Sequence, residues 1–467
     1  MAKPQTQHRS YAARMAVVKK CRDAAKGEDA IHQGGESYLP RLKDQSDEDY
    51  KAYKNRTPFF NATSRTINGL SGMIFRKQPM VEVNTAIKPY LDDLTLTNTN
   101  IYEFAEKCAN EYLEVGGLGL LVEYPQVNVS TLTKAQQEAL NLRPYVNTYK
   151  VESIINWRYE RVNNIVQPAM VVLSESGVAY DDYEEKHTEQ LRALWLENGV
   201  YLQRIYQKTD KNKDEWVQVG ADIIPLMNGS PLNFIPFVYI GDLTCEEISP
   251  PLYSLVNLNL SHYRTSADLE HGAHFTGLPT AVVSGYHADT GEKLYIGSAS
   301  AWIFPAADAK ASYLEFTGQG LGALESLKKE KEAGVAALGA RMLAPEKTGV
   351  EASETFRLRQ SGEGAVLSSI VNLVGAALTK VLHIIEMWSN VETKAIVTLN
   401  KDFIESGLSA QELVALVQSW QAGALPKEEL FNNLKKGELV KPETTFEQYS
   451  AQLEIEMPNL GDALGGA

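Results

Sequence analysis

The feature that most constrains the fold of this chain is a helical pattern that runs from Ser353 to about Asn390. Apolar residues recur there at intervals of three and four and form one stripe, which comprises Leu367, Ile370, Val371, Val374, Leu378, Val381, Leu382 and Ile385. A single helix of this length exceeds the ordinary helix of a globular protein. We therefore expect it to pack along neighbours in an assembly.

Two further helices and a short insert precede this long helix. The first helix is predicted over residues 249–276, with Ser249 as its N-cap and Pro250 and Pro251 in the first turn, where proline is tolerated. The segments that follow it are a β and turn insert at 279–318, a charged second helix at 319–343 and a polar loop at 344–352. The loop then joins the long helix.

The rest of the sequence predicts helices towards both ends and a β-rich module between them. Residues 1–75 read as helical, and the second of these helices spans about 61–75. Another helix ends at Gly116, and the strand LGLLVEY follows it. Short β-branched and aromatic runs fill about 143–240, and a strand and two helices, the first capped by Ser409, end the chain. We therefore predict a mixed α/β (α+β) fold that is mainly helical.

Charge and cysteine usage restrict the possible partners and compartment. The 45 Lys and Arg residues face 59 Asp and Glu residues, a formal net charge of −14, which disfavours a protein that coats nucleic acid through its phosphates. The same negative charge is compatible with a protein that lets DNA slide past without binding it. Cys21, Cys108 and Cys245 fit neither a disulfide framework nor a zinc site, as is typical of reduced intracellular proteins. With neither a secretion signal nor ~18 uninterrupted apolar residues, we expect a soluble, unprocessed protein.

Motifs that could carry catalysis or bind a cofactor have simpler interpretations. The glycines within residues 116–119 lie between a helix and a strand, whereas a phosphate loop needs Gly-Lys-Ser/Thr at the start of a helix, so we expect a tight turn. Glu270, His271 and His274 could offer metal ligands, but their spacing differs from that of known zinc helices, and solvated or pore-facing side chains are expected instead. We expect no catalytic residue, no metal and no cofactor, and hence no enzyme.

Several local strings, together with the order of the elements, resemble one known family. The strings are FFNATSRTINGLSGMIFRKQP at Phe59 to Pro79, YKVESIINWRYE at Tyr149 to Glu160, and LNFIPFVYIG followed by PPLYSLVNLNLSHYRTSADLEH at Leu232 to His271. They resemble the portal proteins of tailed bacteriophages, the head-to-tail connectors, and most closely a podovirus-like branch formerly catalogued as a domain of unknown function. The resemblance covers about residues 50–440.

This resemblance implies a division of the chain, an assembly and a set of partners. The implied parts are an amino-terminal wing at 1–248, a first stem helix at 249–278, a clip at 279–318, a second stem helix at 319–343, a tunnel loop at 344–352, a spine helix at 353–390, and wing completion with crown-like helices at 391–467. The implied assembly is a closed homo-oligomeric ring, dodecameric in most portals, built in the host cytoplasm and placed at one capsid vertex of the virion. The implied partners are double-stranded DNA bound without sequence specificity, terminase, a tail adaptor, and the major capsid and scaffolding proteins, with no membrane.

The same resemblance points to three groups of functional residues. They are Pro345, Glu346, Lys347, Thr348 and Gly349 in the tunnel loop, Lys328, Lys331 and Glu332 as channel-facing stem residues, and Tyr286, His287, Asp289 and Trp302 as partner-binding residues of the clip. Simpler interpretations stay open for each group: a polar loop that joins two helices, a solvated helix with salt bridges, and the core of a small β module. Small residues around Gly339 would let copies approach closely around a ring axis.

Two other functions are compatible with the sequence. One is another structural virion or scaffold protein, such as an adaptor or a capsid component, although adaptors are generally smaller and lack this order of elements. The other is an intracellular hydrolase whose active site is assembled from distant residues. A monomer or dimer with a deep polar pocket would favour the hydrolase.

Overall fold

A computed structural model describes residues 3–125, 133, 136, 139–162, 164–209, 212–277, 280–284, 310–314, 319–340, 353–403, 410–437, 439–441 and 444–456. More of these residues lie in helices than in strands, so the predicted mixed α+β, mainly helical class is confirmed. The chain forms two compact units, Met1–Lys401 and Asp402–Ala467.

Helices dominate the first 115 residues, as predicted. They are α1 (Tyr11–Lys26), α2 (Glu28–Gly34), α3 (Asp47–Arg56), α4 (Ala62–Ile74) and α5 (Ile101–Val115). Side chains satisfy the first amides of three of them, because Ser46, Asn61 and Asn100 each accept a hydrogen bond from an amide of the first turn. Gly116 ends α5 in the left-handed conformation with φ 75°.

Three antiparallel sheets are described in and just before the predicted β-rich region. The strands are β2 (Leu118–Glu123), β3 (Tyr145–Lys150), β4 (Ile154–Val162), β5 (Ile165–Asp181), β6 (Glu184–Glu197), β7 (Val200–Thr209), β8 (Asn212–Gln218), β9 (Leu226–Met227), β10 (Ser230–Pro231) and β11 (Phe237–Ile240). A three-stranded sheet has the order β11-β2-β3, and every residue of β2 is buried. Strands β4 to β8 form a five-stranded meander in sequence order, and β9 pairs only with β10.

The helix–insert–helix segment is present, with two boundaries that differ from the prediction. It comprises α6 (Tyr253–Gly277), β12 (Thr280–Ser284), β13 (Lys310–Leu314) and α7 (Gln319–Val335). The first helix begins at Tyr253 and not at Ser249, because each proline disfavours the helical conformation in the residue before it. The second helix ends eight residues early in a wide turn, Ala336–Ala340, where Gly339 has a non-helical φ of 138°.

The long helix α8 (Ser353–Trp388) confirms the helix predicted for this segment, and all eight residues of its apolar stripe are buried. Glu386 in the same helix was not predicted as a structural residue: it is fully buried and accepts hydrogen bonds from the amides of Asn84 (2.9 Å), Lys394 (2.9 Å) and Ala395 (3.0 Å). These bonds tie the end of α8 to the segments beside β1 (Met80–Glu82) and β14 (Ile396–Thr398), which pair with each other.

Part of α8 also has the length and apolarity of a membrane span. In the described part of the chain, Leu367–Trp388 is the only segment that meets this test, and 50% of it is buried inside the protein. The core helix of a water-soluble protein passes the same test, so the segment is weak evidence for a membrane.

The second unit contains three described helices, whereas the sequence prediction had two. They are α9 (Ala410–Gln421), α10 (Lys427–Lys436) and α11 (Phe446–Glu456). The missed signal is a capping box at the start of α11, where Thr445 and Gln448 each accept a hydrogen bond from the other's amide. Phe431 of α10 packs against Phe446 of α11. The predicted cap Ser409 lies outside the described residues.

A buried ion cluster joins α1 to the elements beneath it. The Arg22 guanidinium, whose side chain is 11% exposed, pairs with Glu111 and Glu114 of α5 and with Glu152, which follows β3. Burial opposes ionisation of Glu152, yet hydrogen bonds from Arg22 hold its pKa below the ordinary value. Arg22 is therefore the cation that all three carboxylates share at this junction.

Candidate functional site

The candidate site is an antiparallel stalk built by α6, β12, β13 and α7. Leu258 of α6 meets Gly334 of α7, and His262 meets Glu332. Further along the two arms, Gly272 faces Leu321, Thr280 pairs with Leu314, and Ser284 pairs with Lys310. The first arm advances by 26 residues from Leu258 to Ser284, and the second returns by 24 residues from Gly334 to Lys310. The described helical pair and the described strand pair therefore keep nearly the same offset between the two arms.

The base of the stalk is embedded in the protein, and its outer part is open. Residues of α6 up to Ala267 pack against α1, α3 and α4, whereas Asp268, Glu270 and His274 are exposed. With 25 residues, α6 is about 37 Å long, and each five-residue strand adds about 17 Å. The part of α6 beyond Ala267 therefore extends outward from the packed base, and the β12–β13 pair follows it in the chain.

Helix α7 contacts the rest of the chain through one narrow stripe. Its half-buried or buried residues are Leu321, Leu324, Lys328, Lys331, Gly334 and Val335, which recur at intervals of about three and four. The remaining described residues of α7 are exposed, and among them Leu327 is 40% exposed. A helix buried on one stripe and open elsewhere is suited to further contacts.

The charged residues predicted to face a channel lie in or beside the contact between α6 and α7. Lys331 donates hydrogen bonds to the Ser261 carbonyl (3.2 Å) and to Thr265 Oγ1 (2.5 Å). Burial, followed by the charge of Arg264, lowers the pKa of Lys331. Lys328 is half-buried on the same stripe. Because a channel needs several copies, the channel-facing role stays a prediction, but Lys331 and Glu332 contact α6 within one chain.

Close packing at Gly334 gives a first prediction. A Cβ at this position would lie 2.9 Å from Leu258 Cδ2, whereas nothing lies within 4 Å of a Cβ at Gly322 on the same helix. We expect Gly334→Val to lower the free energy of unfolding by about 1–3 kcal/mol, because the branched side chain fits only if Leu258 or α7 shifts. Gly322→Ala, the matched control, should raise it by roughly 0.5–1 kcal/mol. Denaturant unfolding measures both changes, and equal effects would contradict this packing.

A second prediction concerns the pH dependence of the stalk. His262 is 3% exposed, and its Nε2 lies 3.3 Å from Glu332 Oε1. Burial lowers its pKa by more than Glu332 raises it. The unfolded chain therefore takes up this proton first, so stability is retained above the ordinary histidine pKa and is lost as the pH falls below it. We expect the loss between about pH 7.5 and 5.5 to shrink in His262→Gln. An unchanged pH dependence in denaturant unfolding would refute this role.

The wide turn Ala336–Ala340 gives Gly339 a function within the chain. Its φ of 138° is one that residues with a side chain rarely adopt, and a Cβ there would lie 3.3 Å from Thr66 Cγ2 of α4. The sequence suggested close approach between copies at this glycine. The structure shows a contact with α4 of the same chain, so the backbone requirement alone explains a glycine here.

Two of the three predicted residue groups lie outside the described residues. They are the tunnel-loop group Pro345, Glu346, Lys347, Thr348 and Gly349 and the clip group Tyr286, His287, Asp289 and Trp302. The described elements on either side of them are the wide turn and α8 for the first group, and β12 and β13 for the second. Their roles stay predictions.

The phosphate-loop interpretation of the glycines is excluded by their surroundings. A Cβ on Gly117 would lie 1.9 Å from the Tyr239 hydroxyl, and one on Gly119 would lie 2.6 Å from the Phe237 ring. Gly117 and Gly119 permit β11 to pack closely against β2 and the residue before it. The predicted tight turn is made by Gly116, whose φ is 75°. Among the described residues, no group of three or more His, Cys, Asp or Glu side chains could hold a metal ion.

Comparisons with known proteins match the stalk and the long helix. The family model described as "Domain of unknown function (DUF4055)" matches residues 251–389, from the base of α6 to the end of α8. No curated protein matches the chain.

Solved structures similar to the chain come from gene transfer agent particles. One, described as "Virion of native gene transfer agent (GTA) particle", is 12% identical with a TM-score of 0.42, over 85% of this chain and 96% of that chain. A second, "Neck of empty GTA particle computed with C6 symmetry", is 11% identical with a TM-score of 0.41, over 84% and 94%. A third, "Neck of native GTA particle computed with C12 symmetry", is 10% identical with a TM-score of 0.36, over 80% and 89%.

Proposed function

We propose that the chain is the subunit of a phage-type portal, a closed ring at one capsid vertex through which double-stranded DNA is packaged and ejected. In this proposal α6 and α7 form the stem, the β12–β13 pair carries the clip, and α8 is the spine helix. Residues 344–352 form the tunnel loop between stem and spine. The protein acts as a conduit and not as an enzyme.

The observation that carries the proposal is the antiparallel stalk. A described helical pair and a described strand pair keep nearly the same offset between their arms and are followed by a helix of 36 residues, which is the stem, clip and spine order implied by the sequence resemblance. In addition, α7 is covered by its own chain on one stripe only. Neighbouring copies in a closed ring would cover its other faces through head-to-tail contacts.

The charge of the chain fits a passive channel. A net charge of −14 gives a wall that repels phosphates, so DNA can move without being held by many basic contacts. In this proposal, terminase docks at the clip during packaging and a tail adaptor replaces it afterwards. Capsid and scaffolding proteins surround the wing.

Labelling of intact particles tests the proposed location. Particles from the strain that encodes this chain would be labelled with gold-conjugated antibodies against the second unit and against an epitope tag in the clip segment 285–309. We expect label at one vertex of each particle, and tail-less heads should expose the clip label there. Label spread over the whole shell, or confined to free protein, would contradict the proposal.

A further inference from the structure

Strands β5 and β6 extend beyond their sheet as a two-stranded arm. The two strands pair continuously out to Asp181 and Glu184. Strand β4 covers β5 only as far as Leu173, and β7 covers β6 only from Gln190 onwards. Six residue pairs therefore lie beyond both neighbours, and the arm projects by about 20 Å. Both of its backbone edges are open.

The root of the arm is fixed by a buried polar network. Glu175 accepts hydrogen bonds from the Tyr149 hydroxyl (2.7 Å), Gln190 Nε2 (2.5 Å) and Arg192 Nε (2.7 Å). Arg192 also donates to Glu123 Oε1 of β2 (2.8 Å). These bonds hold Glu175 and Gln190, the pair at the base of the arm, against the three-stranded β11-β2-β3 sheet. The direction in which the arm leaves the protein is therefore set by these contacts.

The described side chains of the outer part of the arm are exposed, and one of them, Glu189, pairs with Lys208 of β7. Asp182, Glu184, Glu185 and His187 are exposed, and Tyr183 at the tip is exposed over its full surface (106%). The tip sequence DDYEEKHTE contains five acidic residues and one lysine. A two-stranded hairpin that packs against nothing is only marginally stable, so we expect a partner to cover the arm. The acidic charge of the tip disfavours nucleic acid as that partner.

A complementary surface lies on α1 of the same chain. Its exposed residues Ala12, Ala13, Ala16, Lys19 and Lys26 are small or basic. The only acidic residue of the helix, Asp23, is buried and bound by the Tyr38 hydroxyl (2.6 Å) and by Lys19 (2.7 Å). A row of alanines beside exposed lysines leaves room for an acidic hairpin and supplies the opposite charge.

We propose that the arm of one copy lies on α1 of the next copy. The inference rests on the proposed ring, and it names one of the contacts between its subunits. The arm and α1 are different surfaces, so their contact is head-to-tail, the type from which closed rings are built. The exposed acids Glu184 and Glu185 face the lysines of the neighbouring α1, and the alanines allow the strand backbone to approach.

A charge crossover tests the contact directly. Ala16→Glu and Ala16→Lys place opposite charges at one exposed position with similar helix propensity. Each is combined with the natural arm and with the double variant Glu184→Lys/Glu185→Lys, and sedimentation velocity gives the subunit concentration at half assembly. With the natural arm, Ala16→Glu should raise that concentration and Ala16→Lys should lower it, by about twofold to fivefold per interface. The reversed arm should invert this order, because the double-mutant cycle cancels effects on the helix itself.

Cysteine pairs give a second, independent test. In a Cys245→Ser background, one cysteine replaces Glu184 or Glu185 and another replaces Ala13 or Ala16, and the oxidised protein is run under denaturing conditions. A ladder of covalent multimers that needs both cysteines is expected. An intact ring without a crossover and without a ladder would overturn the arm contact while leaving the ring. Absence of any ring would overturn the proposed function and this inference together.

Discussion

Replacing Arg22 with methionine lowers the free energy of unfolding by about 3–5 kcal/mol, the loss typical of one partner removed from a buried ion pair. Methionine keeps the volume of the aliphatic part of the arginine side chain. It leaves Glu111, Glu114 and Glu152 without their common cation. Their mutual repulsion then adds to the cost of keeping carboxylates away from water. Since these residues join α1, α5 and the turn after β3, the effect reaches the junction between the helices and the sheets.

Arg41→Met is the matched control for this prediction. Arg41 also binds two carboxylates, Glu36 and Asp47, but these are 59% and 92% exposed. Exposed ion pairs contribute little to stability because water screens them, so the control should change stability far less than Arg22→Met does. Denaturant unfolding of both variants measures the difference. A similar, small loss in both would show that the Arg22 cluster is solvated and that its burial does not govern stability.

Shortening the chain within residues 345–352 leaves the ring assembled and abolishes DNA packaging. This prediction rests on the proposed function, in which these residues form the tunnel loop and touch the moving DNA. The ring contacts argued above, the exposed side of α7 and the arm on α1, do not include this segment. Assembly and packaging should therefore separate in the shortened variant.

A length-matched control distinguishes loop length from loop chemistry. The control replaces Pro345 to Gly349 with glycine and serine and keeps the number of residues between the wide turn and α8. Both variants should form rings of natural mass on a sizing column, and packaged DNA is measured as nuclease-resistant DNA in particles. Normal packaging by the shortened variant would remove the segment from the tunnel, whereas loss of the ring would show a structural role.

Much of the fold follows from local patterns in the sequence. The apolar stripe of α8, the helix that ends at Gly116 and the β-rich region all occur where periodicity and turn residues predict them. Local chemistry suffices for these elements because each one depends on side chains that are near in sequence. The same applies to α11, which begins at a capping box formed by Thr445 and Gln448 that is visible in the sequence.

Features that depend on contacts between distant residues could not be predicted in the same way. Glu386 sits directly after the buried Ile385 and looks like an interruption of an apolar stripe, but its partners are amides near residues 84 and 394. Lys331 has the sequence context of a solvated helix, yet its amine binds Ser261 and Thr265, more than 60 residues away. Three-dimensional neighbours, and not composition, decide whether such charges face water, another helix or a channel.

The mass and symmetry of the purified protein test the central claim most directly. Native mass spectrometry would give the number of copies, and negative-stain imaging would show whether they enclose a hole. The portal proposal predicts a closed ring of about twelve copies with a central opening and stalks that project to one side. A monomer or dimer at the concentrations and with the partners present during particle assembly would contradict it.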